Sequence, residues 1–232
     1  HFREDVALMA EMGLKAYRFS IAWSRVIPDG TGAVNPAGIK FYHDLIDELL
    51  AHDIEPIVTL YHYDLPWALV ERYGGWISRQ VIDDFEAYAR FVINEFKGQV
   101  KYWTTINEQS IIVQYWTQKC YIPEELRGDN QLRYQINHHM NLAHAVACNL
   151  VHELVPGGMV GSVIGYSPIY PLTSHAEDVM AAQNAHDLRN GYYLDIYFKG
   201  RYTDSAMAYL ERHGLAPKID PGDMELIASG TS

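Results

Sequence analysis

Asn107 and Glu108 form a polar pair directly after an apolar segment of the chain. The preceding segment, Val100–Ile106, is rich in β-branched and aromatic residues, which predicts a buried strand. An amide and a carboxyl group at that point need polar partners, because burying them unpaired costs free energy. At the carboxyl end of a barrel strand they would face the pocket where that fold performs its chemistry. The alternative is a helix start, in which Asn107 caps a helix that begins near Ser110.

The backbone at this pair decides whether the two side chains can share a ligand. Strict alternation along a strand would send Asn107 and Glu108 to opposite faces of the sheet. We therefore expect the regular strand to stop at this pair if both groups serve one site.

The three other predicted strands also carry polar side chains at or beyond the same end. Arg18 lies within the first strand, where a guanidinium group needs an anionic partner. His62 follows the second strand, and Tyr166 and Ser167 follow the fourth. Because a barrel site lies at the carboxyl ends of its strands, these groups are expected around one site. Each also has a structural explanation: an ion pair for Arg18, a hydrogen-bonded loop histidine for His62, and ordinary loop positions for the other two.

Strand-like segments alternate with amphipathic helices along the whole chain, which indicates a parallel sheet with right-handed crossovers. The strands begin near residues 15, 55, 100 and 159, and an eight-unit barrel at that spacing needs roughly 400 residues. We therefore predict about four consecutive βα units of a (β/α)8 TIM barrel. The predicted strands are Lys15–Ser20, Glu55–Tyr61, Val100–Ile106 and Met159–Gly165, and the main predicted helices are Glu4–Met12, one starting at Asn35-Pro36, Gln80–Phe96, Ile111–Cys120, Gln131–Leu154, Val179–Phe198, Asp204–Arg212 and a short one from Asp223.

Composition and charge limit the classes of partner. The 232 residues carry a net charge of −11, which disfavours nucleic acid and anionic membrane surfaces. No apolar run approaches the length of a membrane span and no signal peptide is visible, so we expect a cytoplasmic protein. Cys120 and Cys148 lack CxxC spacing and are expected to be reduced thiols, although two cysteines could also pair. The chain begins at His1 without an initiator Met and looks like an excised piece.

Histidines and tryptophans suggest two further kinds of site. Four histidines lie in one predicted helix, but their spacing does not match the HExxH zinc pattern, so we expect no metal and no other cofactor. Trp116 is the best candidate among the tryptophans for a sugar-stacking platform, against the usual alternative of core packing.

Four segments resemble glycoside hydrolase family 1, whose members are retaining β-glycosidases on a (β/α)8 barrel. These segments are YRFSIAWSRVIPDG, GIKFYHDLIDELL, TLYHYDLPWALVERYGGW and VKYWTTINEQ, in the family's order. Later segments, YQINHHMNLAHA, YPLTSHAEDVMAA and YFKGRYTD, look most like the bacterial 6-phospho-β-glucosidase branch.

The resemblance implies roles for the strand-end residues. Glu108 matches the acid/base glutamate of the family's TxNE motif, and Asn107 matches the asparagine that binds the sugar 2-hydroxyl. Arg18 matches the arginine beside the family's nucleophile, and His62 matches a histidine that binds a hydroxyl of the glycone. Tyr63 stands where the family usually has tryptophan, and it is expected with Tyr166 and Trp116 among the substrate contacts. Gln109 departs from the family's usual proline.

The resemblance also implies that parts of the barrel are missing. The family's nucleophile glutamate lies in a TENG-like motif on the seventh strand, and its sugar phosphate binds a loop after the eighth; this sequence contains neither. We therefore predict that residues 1–232 supply the second to fifth strands of a protein that hydrolyses 6-phospho-β-glucosides, and that the chain alone is inactive. The alternatives are a β-glucosidase or β-galactosidase of unphosphorylated sugars, or an inactive half-barrel that binds or self-associates through exposed sheet edges.

Overall fold

The computed structural model describes residues 1–231, and its centre is a four-stranded parallel sheet in the order β1-β2-β3-β4. The strands are β1 (Ala16–Ser20), β2 (Glu55–Tyr61), β3 (Tyr102–Asn107) and β4 (Met159–Val163). The helices are α1 (Phe2–Glu11), α2 (Trp23–Val26), α3 (Pro36–Ala51), α4 (Trp67–Tyr73), α5 (Gln80–Phe96), α6 (Gln109–Gln114), α7 (Trp116–Lys119), α8 (Asn130–Leu154), α9 (Ala176–His186), α10 (Tyr192–Lys199), α11 (Asp204–Arg212) and α12 (Asp223–Ser229). Single 3-10 turns occupy Gly75–Ile77 and Glu124–Leu126, and a π-helical turn occupies Asp187–Gly191.

Most predicted elements are present, and β2, α5 and α11 have the predicted bounds. The start of α3 is also as predicted, because the Asn35 side chain accepts a hydrogen bond from the backbone N–H of Ala37 and proline occupies the first turn. The two cysteines are both buried and are not joined in a disulfide. In the part of the chain that the structure describes, no helix is long and apolar enough to cross a membrane.

Three local predictions were wrong. No helix was predicted directly after β1, but this segment contains α2, and the carboxylate of Asp64 accepts a hydrogen bond from the Trp23 backbone N–H in the first turn of α2. The helix predicted for Ile111–Cys120 is divided into α6 and α7 at Tyr115. The helix predicted for Val179–Phe198 contains the π-helical turn, where Asn190 is fixed by hydrogen bonds to the backbone of Ser167.

An irregularity in β3 determines which side chains face the inside of the sheet. Thr104 is level with Gly161 of β4, but Asn107 is level with Val163, so β3 has one extra residue between these pairs. The extra residue reverses the alternation of side chains along the strand. As a result, Asn107 shares a face with Thr104, although it lies three positions further along the strand, where regular alternation would place it on the opposite face.

Helices α5 and α8 cover the outer face of the sheet and form the core with it. At one end of this core Tyr88 is completely buried, and its ring stacks on Trp23 at a centroid distance of 4.8 Å. The Tyr88 hydroxyl lies 2.8 Å from the carbonyl oxygens of Ile21 and Leu60. The Ile21 carbonyl directly follows β1 and the Leu60 carbonyl lies near the carboxyl end of β2, so Tyr88 ties both strand ends to α5.

The substitution Tyr88→Phe should lower the free energy of unfolding by about 1–3 kcal/mol, because two buried carbonyl groups lose their hydroxyl partner while the ring packing is kept. Urea denaturation monitored by circular dichroism measures the change. Tyr170→Phe is the matched control, since Tyr170 is 83% exposed, and it should change the free energy of unfolding very little. Equal effects of the two substitutions would rule out the anchoring role of the Tyr88 hydroxyl.

Candidate active site

Asn107 is the centre of a polar cluster at the carboxyl end of the sheet. Its side chain is nearly inaccessible, with 2% of the residue exposed. The amide oxygen accepts a hydrogen bond from Arg18 at 3.1 Å, and the amide nitrogen lies 3.1 Å from Nε2 of His62 and 3.2 Å from the Tyr63 hydroxyl. Asn107 therefore joins groups from β1, from the segment after β2 and from β3.

Glu108 lies directly outside this cluster, and its backbone is left-handed, with φ of 42° and ψ of 57°. This conformation is uncommon for residues other than glycine, and it ends the regular strand between Asn107 and Glu108, as expected. The Tyr63 hydroxyl lies 3.3 Å from Oε2 of Glu108 and also contacts Asn107, so both members of the pair reach one site. The helix-cap alternative is wrong, because Glu108 occupies the N-cap position of α6 and the Asn107 side chain is engaged in the cluster.

Arg18 lies on the inner face of the sheet among uncharged partners. Its guanidinium group donates to the Thr59 hydroxyl at 3.0 Å as well as to Asn107, and Thr59 in turn contacts the Thr104 hydroxyl at 2.7 Å. Within residues 1–231 no carboxylate oxygen lies within 4.0 Å of this guanidinium. The described residues therefore do not supply the anionic partner that the sequence predicted for Arg18.

His62 is held in the cluster by its own loop. The carboxylate of Asp64 accepts hydrogen bonds from the backbone N–H groups of His62 and Trp23, which fixes the loop against α2. Burial lowers the pKa of the His62 imidazole, and the Arg18 guanidinium lowers it further, against the opposite effects of nearby carboxylates. His62 is therefore neutral at pH 7, and its Nε2 can accept the hydrogen bond from Asn107.

Tyr63 connects Glu108 to a nearby positive charge. The Lys119 ammonium group lies 4.5 Å from the centroid of the Tyr63 ring, which is cation–π distance. Burial raises the pKa of the Tyr63 hydroxyl, so this group stays protonated and can donate to Glu108. Lys119 was not predicted from the sequence, because nothing in the local pattern of α7 shows which ring lies beneath it.

Two residues predicted as substrate contacts lie outside this cluster. Trp116 is only 5% exposed and packs in the hydrophobic core. Tyr166 is half-exposed, and its ring lies 6.2 Å from the ring of His186. The structure thus gathers Glu108, Asn107, Arg18, His62 and Tyr63 at one point, while Trp116 and Tyr166 make their contacts elsewhere.

Gln109 anchors the backbone directly after Glu108 and was not recognised from the sequence. It is completely buried, and its amide nitrogen donates to Oδ1 of Asn137 at 2.8 Å and Oδ1 of Asn141 at 2.7 Å. Its amide oxygen accepts a hydrogen bond from the Tyr197 hydroxyl at 2.8 Å. A buried amide with partners on both sides has one favourable orientation, so the start of α6 is fixed relative to α8 and α10.

The hydrogen bonds of Gln109 continue through the interior to an ion pair. Asn141 donates to the Tyr202 hydroxyl at 3.0 Å, and this hydroxyl lies 2.8 Å from Nδ1 of His138. The other ring nitrogen of His138 lies 2.8 Å from the carboxylate of Asp223, which also binds Arg79 through both terminal nitrogens. Burial acts to raise the pKa of Asp223, but the hydrogen bonds from Arg79 and His138 outweigh it and hold the pKa well below its usual value.

Three of the four histidines of α8, namely His138, His139 and His144, are buried and serve packing and hydrogen bonding in this structure. His139 contacts the Trp76 carbonyl at 2.9 Å, and burial lowers the pKa of His144 to about 3, with its Nδ1 2.7 Å from the Thr105 hydroxyl. Across the described chain, no group of three or more His, Cys, Asp and Glu side chains could hold a metal ion.

Comparison with known proteins places this arrangement in a family. The sequence profile of glycosyl hydrolase family 1 matches residues 1–232. The chain is 48% identical over 229 residues to the aryl-phospho-β-D-glucosidase BglC of Bacillus subtilis, covering 99% of this chain and 48% of the relative. It is 40% identical over 221 residues to β-glucosidase 6 of Oryza sativa, covering 89% of this chain and 42% of the relative. The chain spans about half the length of the curated relatives it matches.

The same fold is found in solved structures. A family 1 β-glucosidase from Thermotoga maritima superposes with a TM-score of 0.88 at 34% identity, covering 99% of this chain and 51% of that protein. The predicted fold class is therefore confirmed: the chain is a fragment of a (β/α)8 barrel with four consecutive parallel strands.

Replacing Gln109 by Met should lower the free energy of unfolding by about 1–3 kcal/mol, because buried amide and hydroxyl groups then lack a partner. In a double-mutant cycle with Tyr197→Phe, the two losses should be less than additive, with a coupling of about 0.5–3 kcal/mol. Gln114→Met on the same helix is the control, since Gln114 is exposed and its loss should have little effect. Strict additivity in the cycle would show that Gln109 and Tyr197 do not act together.

Proposed function

This chain belongs to glycosyl hydrolase family 1, and we propose that it supplies half of the active site of a retaining β-glycosidase that acts on 6-phospho-β-glucosides. The gathering of Glu108, Asn107, Arg18, His62 and Tyr63 at the carboxyl end of the sheet carries this proposal. In a barrel, that end of the strands is where catalytic groups meet a substrate.

Glu108 is the proposed general acid and base. It would protonate the glycosidic oxygen as the bond to the leaving group breaks, and it would later take a proton from the attacking water. Its left-handed backbone and the hydrogen bond from Tyr63 support this role, since they direct the carboxyl group towards the polar cluster. A retaining reaction also needs a second carboxylate about 5–5.5 Å away to attack the anomeric carbon.

Arg18 and Asn107 are proposed to face that second carboxylate and the sugar. The guanidinium group of Arg18 has only hydroxyl and amide partners in the described chain, so it has capacity for an anion on the inner face of the sheet. The Asn107 amide nitrogen is shared between His62 and Tyr63, so a sugar hydroxyl could replace one of these contacts. The second carboxylate would come from barrel strands outside residues 1–232.

The remaining substrate contacts are proposed from position and exposure. His62 is neutral and partly exposed, so it can exchange hydrogen bonds with a sugar hydroxyl. Tyr63 stands where the family usually has tryptophan, and its hydroxyl lies within hydrogen-bond distance of Glu108 and Asn107. Tyr166 is accessible beyond β4, whereas Trp116 offers only a small exposed fraction, which limits it to an edge contact.

The phosphorylated sugar is proposed from the relatives. The B. subtilis protein at 48% identity is named as an aryl-phospho-β-D-glucosidase, which favours a 6-phospho-β-glucoside as substrate. The second candidate is an unphosphorylated β-glucoside, favoured by the rice β-glucosidase at 40% identity. Residues 1–232 are proposed to form the second to fifth strands of the barrel, with β1 and β4 as edges that pair with other strands.

The substitution Glu108→Gln in the full-length enzyme should lower kcat by about 10²–10⁴-fold, because proton transfer to the leaving oxygen is lost. The effect should be largest for aryl 6-phospho-β-glucosides with strongly basic leaving groups, which depend most on protonation. Release of the phenol followed by absorbance measures it. Glu125→Gln, at an exposed glutamate, is the control and should leave kcat unchanged.

The same assay tests the proposal that the 232-residue chain is inactive by itself, for lack of the second carboxylate. Turnover by the isolated chain that disappears with Glu108→Gln would contradict that proposal. An unchanged kcat for the full-length Glu108→Gln enzyme would contradict the catalytic role itself.

Phosphorylation of the sugar should control the specificity of the full-length enzyme. The value of kcat/KM for p-nitrophenyl 6-phospho-β-glucoside should exceed that for p-nitrophenyl β-glucoside by at least about tenfold, as one charge-assisted contact would provide. Paired initial-rate measurements on the two substrates give the ratio. A ratio below one would favour the β-glucosidase candidate instead.

A further inference from the structure

A cavity of about 280 Å³ lies beside α6, the helix that follows Glu108. It is lined by residues of α6, the first turns of α8, the segment after β4, the π-helical turn and α10, and it is open to solvent on one side. Its lining includes Ser110, Arg133, Tyr134, Arg189 and Tyr193, and no aspartate or glutamate is among the lining residues. In a chain of net charge −11, a cavity with two arginines and no acidic residue is a local positive region.

Neither arginine is neutralised by a carboxylate. Arg133 packs its guanidinium group over the Tyr134 ring at 4.7 Å and donates to the Tyr134 hydroxyl at 3.1 Å. Arg189 makes a long contact of 3.4 Å with the Ser167 hydroxyl. In the region the structure describes, no carboxylate oxygen comes within 4.0 Å of either group. Both guanidinium groups thus retain N–H donors for another acceptor.

Buried donors without acceptors border the same cavity. Nε of Arg133 and the hydroxyl of Ser110 are buried and have no hydrogen-bond partner in the described structure. Ser110 is only 9% exposed, so water does not freely satisfy its hydroxyl. Unpartnered buried polar groups are costly and few in native proteins, and Nε–H of arginine can only donate. Both groups can therefore donate to an acceptor placed in this cavity.

Arg133, Arg189 and Tyr193 line the same cavity. Burial raises the pKa of the Tyr193 hydroxyl, and the guanidinium groups of Arg133 and Arg189 both oppose that rise. The two arginines reach this cavity from different elements, Arg133 from α8 and Arg189 from the π-helical turn. Two guanidinium groups in one cavity are a common arrangement for binding the oxygens of a carboxylate or phosphate.

We propose that this cavity is an oxyanion-binding site, in which Arg133 and Arg189 bind a carboxylate, sulfate or phosphate group. The anion has two possible sources: a free inorganic ion, or an acidic substituent on the leaving group of a substrate held at Glu108. The second source rests on the proposed glycosidase function, since Ser110 belongs to the same segment as Glu108. Binding itself does not depend on that function.

Isothermal titration calorimetry of inorganic phosphate into the full-length protein tests the site. The variants Arg133→Gln and Arg189→Gln should each weaken one phosphate-binding event by about tenfold, since each removes a charged hydrogen-bond donor. Arg133→Lys and Arg189→Lys keep the charge and should weaken it less. Arg212→Gln removes an exposed arginine of α11 and should leave binding unchanged. Any other phosphate site in the protein is common to all variants and cancels in the comparison.

The proposal is overturned if the wild type and the folded Gln or Lys variants bind phosphate with the same stoichiometry and affinity. Kinetics then separate the two sources of the anion. If the occupant is part of the substrate, Arg133→Gln should raise KM for a carboxyphenyl 6-phospho-β-glucoside but not for the phenyl analogue. If it is a free ion, both KM values stay unchanged while phosphate binding is weakened. Absence of any glycosidase activity with phosphate binding intact would refute the proposed function and leave the oxyanion site standing.

Discussion

The buried carboxamide of Asn107 holds together the polar groups of three neighbouring strands. It contacts Arg18 from β1 and His62 and Tyr63 from the segment after β2, so residues far apart in sequence share one partner. It can do so because the extra residue in β3 turns its side chain to the inner face. Glu108 depends on the same geometry, since its left-handed backbone follows the irregularity and Tyr63 reaches both residues. Restoring regular alternation in β3 would therefore disperse the cluster.

Local patterns predicted most elements, but they could not predict the irregular points. The bounds of β2, α5 and α11 follow from side-chain spacing and turn residues, because the apolar periodicity within each of these elements already shows which of its faces is buried. The irregularity in β3 depends on its pairing with β4 and on polar partners from two other strands. The anchoring role of Gln109 could not be predicted either, since its partners lie on α8 and α10 and no sequence pattern near Gln109 indicates them.

In the candidate site, the strand topology positions some residues, and the packing of the following helices positions others. Arg18, Asn107, Glu108 and the His62–Tyr63 segment converge because parallel strands deliver their carboxyl ends to one side of a sheet. Trp116 lies beyond a helix break that the sequence did not show, and it turns into the core. Strand ends are thus reliable positions for a sequence-based site prediction, whereas residues in the following helices depend on packing that only the fold determines.

The hydrogen bonds from Tyr197 to Asp223 all run in one direction. Each donor from Tyr197 through Gln109 to His138 points towards the Asp223 carboxylate, which can only accept. Because the carboxylate end is fixed as an acceptor, the donor and acceptor at every other junction of the path are fixed as well. Reversing a single amide would place donor against donor at one of its contacts and acceptor against acceptor at the other. The tautomer of His138 and the orientation of the Gln109 carboxamide are therefore linked. Establishing either by NMR or neutron diffraction establishes the other.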